Sequence, residues 1–180
     1  MTVDVRGQLV ALRDLTHDDI TDRYLSWFQD GTVIQFLSAR KLCREDVVAY
    51  MDEGRKTGTY DMLALCDAAT GLHIGNVKIG PVDRENGTSD LVTVIGDCTF
   101  WGKGLATEAI ALASQVAFKQ FGIRKVCGSI IGNNVGSVKC YTRGGWHVEC
   151  VRKDQYRVDG VLQDEIFVGC FNPEPDTAQS

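Results

Sequence analysis

The chain has 180 residues, of which 44% are apolar and 24% are charged, and its formal net charge is −5. This composition is ordinary for one globular domain, and the acidic balance argues against nucleic acid as a partner. There is no run of about 18 apolar residues and no apolar core after Met1, so we expect no membrane association and a cytoplasmic location. We expect a single domain over 1–180, with an ordered core over about 8–171 and a mobile tail over 172–180.

The first half of the chain alternates strand and helix signals. Thr16 and Asp19 have the spacing of a capping box, which predicts a helix start, and Gly31 predicts its end. A turn over 68–71 separates two apolar runs, which is typical of a β-hairpin, and Gly80-Pro81 is expected to end its second strand. The elements predicted here are a strand over 8–12, a helix from 16 to about 31, a short turn or helix over 32–37, a helix over 44–55, a hairpin of strands 60–67 and 72–79, and a strand over 89–95.

The second half begins with a glycine-rich turn that leads into the longest helix signal of the chain. Apolar residues recur at intervals of four, three and four from Leu105, and Gly122 has the place of a helix cap. Asp159-Gly160 between apolar runs predicts a hairpin turn. The elements predicted here are a helix over 105–120, a strand over 125–131 parallel to the strand over 89–95, a helix over 135–143, and strands over 146–152 and 164–171.

The glycine-rich turn over 96–104 predicts an anion site. It joins a strand to a helix, so free N–H groups and the positive end of the helix dipole meet there. Gly102 and Gly104 let a phosphate approach the main chain closely. A P-loop would need Ser or Thr after Lys103, and a dinucleotide fingerprint would need Gly in place of Thr107, so neither of these motifs fits.

Two motifs resemble those of the GNAT acetyltransferases. The first has the pattern Gln/Arg-x-x-Gly-x-Gly/Ala, which Gly104 and Ala106 match, while Trp101 departs from the Gln/Arg position. The second has the pattern Asn-x-x-Ser-x-x-x-Tyr-x-x-x-Gly-Phe, and the matching positions are Asn134, Ser137, Tyr141, Gly145 and, for Phe, Trp146. The chain is identified as similar to the branch that includes the ribosomal-protein alanine acetyltransferases.

The resemblance implies a mixed α/β fold. It would have a mostly antiparallel sheet of about six to seven strands, a splayed central parallel pair, and about four helices on both faces. Acetyl-CoA would lie in the gap as the acetyl donor, with its pyrophosphate on the glycine-rich loop. The residues implied for this loop are Trp101, Gly102, Lys103, Gly104, Leu105, Ala106 and Thr107, and Asn134 and Ser137 would reach the rest of the cofactor.

The same resemblance implies direct attack of an amine on the thioester. Tyr141 would protonate the departing thiolate as general acid, although a tyrosine of this kind also fits a core position. A backbone N–H near Val94 or Ile95 would stabilise the oxyanion. Asp90 is the candidate base and Asp97 the alternative, while a surface role suits both equally well.

The acceptor is less defined by the sequence. We expect a small-molecule amine, with an amino sugar favoured because the segment over 23–30 resembles relatives linked to surface-sugar pathways. The alternatives are a protein N-terminal amine and a CoA-binding module without turnover. The residues expected around the acceptor are Trp27, Phe28, Phe36, Arg40 and Tyr156, although the core is the favoured place for Trp27 and Phe28. We expect a monomer or homodimer, and no metal, because the seven cysteines include no Cys-x-x-Cys pair.

Overall fold

The computed structural model describes residues 2–37 and 42–174, and within them eight strands form one mixed sheet with five α-helices. The strands are β1 (Asp4–Arg6), β2 (Val10–Asp14), β3 (Asp61–Asp67), β4 (His73–Asp83), β5 (Thr88–Ile95), β6 (Lys125–Ile131), β7 (His147–Val158) and β8 (Val161–Phe171). The helices are α1 (Asp22–Trp27), α2 (Gly31–Ile34), α3 (Arg44–Thr57), α4 (Leu105–Phe121) and α5 (Val135–Arg143). The predicted mixed α/β fold, with a mostly antiparallel sheet and a central parallel pair, is confirmed, but the predicted counts of about six to seven strands and about four helices were too low.

The sheet divides at its centre. Its order is β1-β2-β3-β4-β5-β6-β8-β7, and β5 and β6 form the parallel pair between antiparallel neighbours. Parallel pairing covers only Thr88–Asp90 against Lys125–Cys127. Beyond these pairs β5 stays with β4 up to Ile95, and β6 stays with β8 up to Ile131. The two strands therefore diverge and leave the gap that the resemblance implied.

Small side chains let α4 lie close to the sheet. Ala109, Ala113 and Ala117 are fully buried and recur every four residues, so they share one helix face. Leu105 and Ile110 extend the same core. Gly122 ends the helix in the left-handed conformation, as predicted. No helix in the described ranges is long and apolar enough to cross a membrane.

The helices cover both faces of the sheet, as the alternation along β3 shows. Leu63 and Leu65 belong to the core beneath α4, whereas Ala64 and Cys66 belong to a second core. This second core is filled from α1, α2 and α3. The gap between β5 and β6 therefore lies in a sheet that has one core on each of its faces.

The predicted helix from 16 to about 31 is divided. Thr16 and Asp19 form the predicted capping box, but the helix that they start is a single 3-10 turn. Ile20 leaves helical geometry at φ −82° and ψ 69°, and the side chain of Thr21 then caps α1. Asp30 caps α2 in the same way. Each polar residue begins its own short helix because it satisfies free N–H groups locally.

Three other boundaries differ from the prediction. The sheet begins before residue 8, because the chain pairs over Asp4–Arg6 and buries Val3. β4 continues past Gly80-Pro81, because a shift of register after Ile79 lets the pairing with β5 resume. The last hairpin is longer than predicted because Asp159-Gly160 forms a two-residue turn that is paired on both sides. Residues 175–180 of the expected tail lie outside the described part of the chain.

The substitution Ser114→Ala should lower the free energy of unfolding by about 1–3 kcal/mol. The indole Nε1 of Trp146 donates to Ser114 Oγ at 3.0 Å, and both residues are buried. Without the hydroxyl, the indole N–H stays buried with no acceptor. Urea unfolding measures the change. Ser26→Ala is the control, because its hydroxyl bonds a helix carbonyl at 2.7 Å in an exposed position and should matter by less than about 0.5 kcal/mol. Equal losses in the two variants would contradict the assignment.

Candidate active site

The gap between β5 and β6 opens into a cavity of about 440 Å³. Its walls are the end of β5, the glycine-rich loop, the first turn of α4, one side of α5 and the segment around α2. The residues proposed from sequence that line it are Val94, Ile95, Trp101, Gly102, Gly104, Leu105, Ala106, Thr107, Asn134, Ser137 and Tyr141. Lys103 and Asp90 are not part of this lining. The structure thus brings most of the two motifs to one cavity.

The loop presents backbone N–H groups to the cavity. Gly104 is the N-cap of α4 with φ 83°, a left-handed conformation that a glycine adopts without strain. The N–H groups of Leu105, Ala106 and Thr107 follow it and lack partners within the helix. Gly102 has φ 74° and open space around its α-carbon. The main chain is therefore accessible to an anion at Gly102 and at the start of α4.

Glu108, the acidic residue in the first turn of α4, is engaged by main-chain donors from outside the loop. The carboxylate of Glu108 accepts hydrogen bonds from the N–H groups of Gln8 and Leu9 at 2.5 and 2.6 Å, so it is engaged by the turn before β2. The ammonium of Lys103 lies 5.1 Å from the ring of Phe100, outside the cavity wall. Its charge still favours an anion nearby. A pyrophosphate would meet donors and a cation here.

Two basic residues of the cavity wall were missed from the sequence. Lys139 and Arg143 lie on α5, four residues apart and so on one helix face, and both line the cavity. Their positions in the helix predicted after Asn134 could have indicated from the sequence that they lie near the cofactor. Together with the loop they surround the cavity with groups that attract phosphate.

Asn134 has the capping role that the sequence left open. Its side-chain oxygen accepts a hydrogen bond from the N–H of Ser137 at 3.1 Å, at the start of α5. The cap uses the amide oxygen, so the NH₂ group of Asn134 remains able to donate. Both residues also line the cavity, and capping is therefore compatible with a role in binding.

Tyr141 is both a core residue and part of the cavity wall. It is 6% exposed, and its hydroxyl donates to the carbonyl of Leu91 at 2.9 Å. Its ring packs edge-on against Trp146, with 4.8 Å between centroids. Loss of hydration raises the pKa of Tyr141 well above its ordinary value, so it keeps its proton. Because Leu91 follows the last parallel pair at Asp90, the hydroxyl lies where the strands begin to diverge.

The N–H groups of β5 point alternately towards β4 and towards the gap. The N–H of Gly96 donates to a carbonyl of β4, and directions alternate along a strand, so the N–H of Val94 also faces β4. The carbonyl of Leu91 faces the gap, because it accepts from Tyr141. By the same alternation the N–H of Ile95 faces the gap. Of the two oxyanion candidates, the backbone favours Ile95.

One buried polar atom in the cavity wall has room for a ligand partner. The hydroxyl oxygen of Thr93 is buried and forms no hydrogen bond within residues 2–37 and 42–174. Buried hydroxyls normally have a partner. Thr93 lines the same cavity beside Val94 and Ile95. An amide or carbonyl group of a bound cofactor would supply that partner, so the wall fits a chain such as pantetheine.

The two candidate bases differ in surroundings. Asp97 accepts hydrogen bonds from Thr99 and from the guanidinium of Arg23 at 2.7 Å, and these hold its pKa below the usual range. It therefore has a structural role. Asp90 lies at the end of the parallel pairing, where partial desolvation raises its pKa against the opposing effect of the charge of Lys78. Asp90 is better suited to accept a proton near neutral pH.

The residues expected around the acceptor lie in different parts of the structure. Trp27 and Phe28 are 5% and 7% exposed in the second core and are not available to a substrate. Phe36 lines the cavity. Tyr156 lies on β7, where it bonds Glu165, and Arg40 is outside the described residues. The segment around α2 adds residues that the sequence did not indicate, namely Thr32, Val33, Gln35 and Leu37.

The side chains of the described residues provide no cluster of three or more His, Cys, Asp or Glu that could hold a metal ion. All seven cysteines are free thiols, and Cys66 is the buried one among them.

Comparison with known proteins gives a consistent family. The family model for the acetyltransferase (GNAT) domain matches residues 10–147. The chain is similar to the probable N-acetyltransferase YjcK of Bacillus subtilis (strain 168), at 23% identity over 133 residues, which is 74% of this chain and 73% of that protein.

Solved structures share the fold. The spermidine N-acetyltransferase of Vibrio cholerae, in complex with CoA and spermine, matches with a TM-score of 0.81 and 16% identity over 92% of this chain and 96% of that one. The ribosomal-protein-S5-alanine acetyltransferase of Vibrio fischeri matches with a TM-score of 0.81 and 17% identity over 96% and 98%. The family model covers most of the chain, including the glycine-rich loop and Tyr141. The chain therefore belongs to the GNAT acetyltransferase family and is an acyltransferase that acts on amines.

Proposed function

We propose that the chain transfers the acetyl group of acetyl-CoA to the primary amine of a small molecule, and that an amino sugar is the favoured acceptor. The observation that carries the proposal is the cavity in the split sheet, which has an anion-binding helix start at one end and the Tyr141 hydroxyl in its wall. In a phosphorylated thioester such as acetyl-CoA, the phosphates suit the helix start and the thioester suits the part of the cavity near Tyr141.

The loop and α5 would bind the donor. The N–H groups after Gly104 are suited to the pyrophosphate, and Lys139 and Arg143 add positive charge across the cavity. Asn134, Ser137 and the Thr93 hydroxyl offer hydrogen bonds to the amides of the pantetheine chain. The expected single domain over 1–180 is part of this proposal, because one cavity contains the complete donor site.

The reaction needs a neutral amine, an oxyanion donor and an acid for the thiolate. The N–H of Ile95 faces the gap and supplies the oxyanion donor. As the tetrahedral intermediate collapses, the C–S bond breaks and Tyr141 gives its phenolic proton to the sulfur. Asp90 receives the proton that the amine loses, through water. The proposed oxyanion donor, acid and base thus all lie near the point where β5 and β6 diverge.

The variant Asp90→Asn should lower kcat/KM at neutral pH by about 100-fold, the scale of lost general-base catalysis. The pKa of Asp90 is raised, so the ionised form is gained as pH rises through a value above the ordinary 3.9 or so. Activity should therefore increase with pH over that acidic limb in the parent chain, and the limb should be absent from the variant. Glu85→Gln, an exposed neutralisation in the preceding loop, is the control. An unchanged acidic limb in Asp90→Asn would remove Asp90 from the mechanism.

A small acceptor is supported by the cavity itself. Thr32 and Gln35 bring hydrogen-bonding groups beside the aromatic ring of Phe36, which together suit a hydroxylated ring. The solved neighbours are named for spermidine and for a ribosomal protein, so the acceptor must be tested directly. Thiol release should be measured with glucosamine, spermidine, alanine and an alanine-terminated peptide. The proposal predicts the highest kcat/KM with glucosamine, and a preference for the peptide would contradict it.

A further inference from the structure

The face of the gap away from α4 carries polar side chains. Leu91 and Val126 point into the core beneath α4, so their neighbours Asp90 and Cys127 point to the opposite face. Ser129 follows Cys127 by two residues on β6 and shares this face. The α4 side of the gap is closed by α5 and Tyr141. An acceptor amine must therefore reach a thioester in the gap from the face of Asp90 and Ser129, called here the open face.

A buried carboxylate lies on this open face. Glu165 of β8 is 6% exposed and is paired in register with Ile131 of β6 and Arg152 of β7. Its Oε1 accepts hydrogen bonds from Ser129 Oγ at 2.6 Å and from Tyr156 Oη at 2.8 Å. These donors hold the pKa of Glu165 below its usual range, so the carboxylate is ionised. It has no role in the donor site described above.

The ionised carboxylate fixes how its two hydroxyl partners are oriented. A carboxylate only accepts hydrogen bonds, so Ser129 and Tyr156 must both donate to Glu165. Their oxygen lone pairs are then the groups left for a ligand. Ser129 is exposed and Tyr156 is half-buried, so a ligand can reach them. The pair is thus an acceptor of hydrogen bonds, which matches the N–H groups of an amine.

Charge balance in the cluster favours the neutral form of that amine. Arg152 Nη1 lies 3.4 Å from Glu165 Oε2, and its guanidinium also stacks over the ring of Phe167 at 4.7 Å. Arg152 therefore offsets the negative charge of Glu165. The Glu165–Arg152 pair thus has no net charge that would hold an ammonium ion, which leaves Asp90 as the carboxylate that takes up the proton of the amine. Attack on the thioester requires the unprotonated amine.

We propose that the hydroxyl oxygens of Ser129 and Tyr156 hold the N–H groups of the neutral acceptor amine, and that Glu165 is the positioning residue that sets their orientation. This inference rests on the proposed function, since it concerns the acceptor of the same reaction. Asp90, across the gap on β5, then faces the same amine.

The test measures acceptor and donor separately. Glu165→Gln replaces one oxygen by an NH₂ donor, which would turn a hydroxyl hydrogen outward, so kcat/KM for the acceptor should fall about 10- to 100-fold while calorimetric binding of acetyl-CoA is unchanged. Ser129→Ala and Tyr156→Phe should each cost about 10-fold. Because the residues act as one unit, adding Ser129→Ala to Glu165→Gln should cost little more. Asp164→Asn is the matched control, because this adjacent carboxylate bonds Lys153 instead.

The outcomes separate this inference from the proposed function. The acceptor used is whichever of glucosamine, spermidine or an alanine-terminated peptide the parent chain acetylates fastest. If it acetylates none of them, the proposed function fails and this inference with it. If it does acetylate one, and Ser129→Ala and Tyr156→Phe both stay within about twofold of the parent, only this inference is overturned. Thermal unfolding of each variant shows whether it folds normally, and Tyr156→Phe keeps the aromatic ring while it removes only the hydroxyl.

Discussion

Replacing Tyr141 by Phe should lower kcat by about 10- to 100-fold while leaving the affinity for acetyl-CoA nearly unchanged, the scale of a lost general acid. The hydroxyl lies in the wall of the cavity, and its raised pKa keeps it protonated until a thiolate forms beside it. Phe keeps the packing against Trp146. Steady-state thiol release and calorimetry with acetyl-CoA give the two quantities.

Tyr24→Phe is the matched control for that loss. Tyr24 is 1% exposed, and burial raises its pKa to about 12, but it lies in the second core and is not part of the cavity wall. Its replacement should leave kcat within about twofold and change stability alone. If Tyr141→Phe turned over as fast as the parent chain, the hydroxyl would be a core group bonded to Leu91 with no part in the chemistry.

The substitution Gly104→Glu should weaken acetyl-CoA binding by about 100-fold or more, close to 3 kcal/mol. A side chain at φ 83° is strained, and a carboxylate at the start of α4 would occupy the place of the pyrophosphate with the same sign of charge. Isothermal titration calorimetry measures the affinity directly.

Gly122→Glu provides a control at the other end of the same helix. Gly122 also has a left-handed φ of 67° and open space for a side chain, so backbone strain and added charge are comparable. Its distance from the loop is the length of α4. Normal acetyl-CoA affinity in Gly104→Glu, or equal losses in both variants, would show that the loop does not bind the pyrophosphate.

The sequence predicted most residues of the cavity wall that is proposed to bind the donor, because they lie in short, local motifs. A glycine at each left-handed position of the loop, the helix after it and the Asn134 motif are short-range features that spacing reveals. The predicted bounds of α5 and β6 were confirmed, since each is delimited by residues with strong turn or cap preferences.

The proposed acceptor half depends on contacts between distant strands, and of its residues the sequence indicated only Phe36 and Tyr156. Ser129 and Glu165 are 36 residues apart and meet only because β8 returns beside β6 in one register. The segment around α2 reaches the cavity through the packing of the second core, which periodicity does not show. Trp27 and Phe28 are buried in that core, which was the favoured of their two expected roles.

The most direct test of the account follows a labelled acetyl group. The chain is incubated with acetyl-CoA that carries ¹³C in the acetyl group and with glucosamine, and the amine is analysed by mass spectrometry as free thiol is measured. We expect glucosamine to gain one labelled acetyl group for each thiol released. Thiol release without an acetylated amine in this mixture, or no release from it at all, would contradict the claim that this cavity transfers acetyl groups to a small amine.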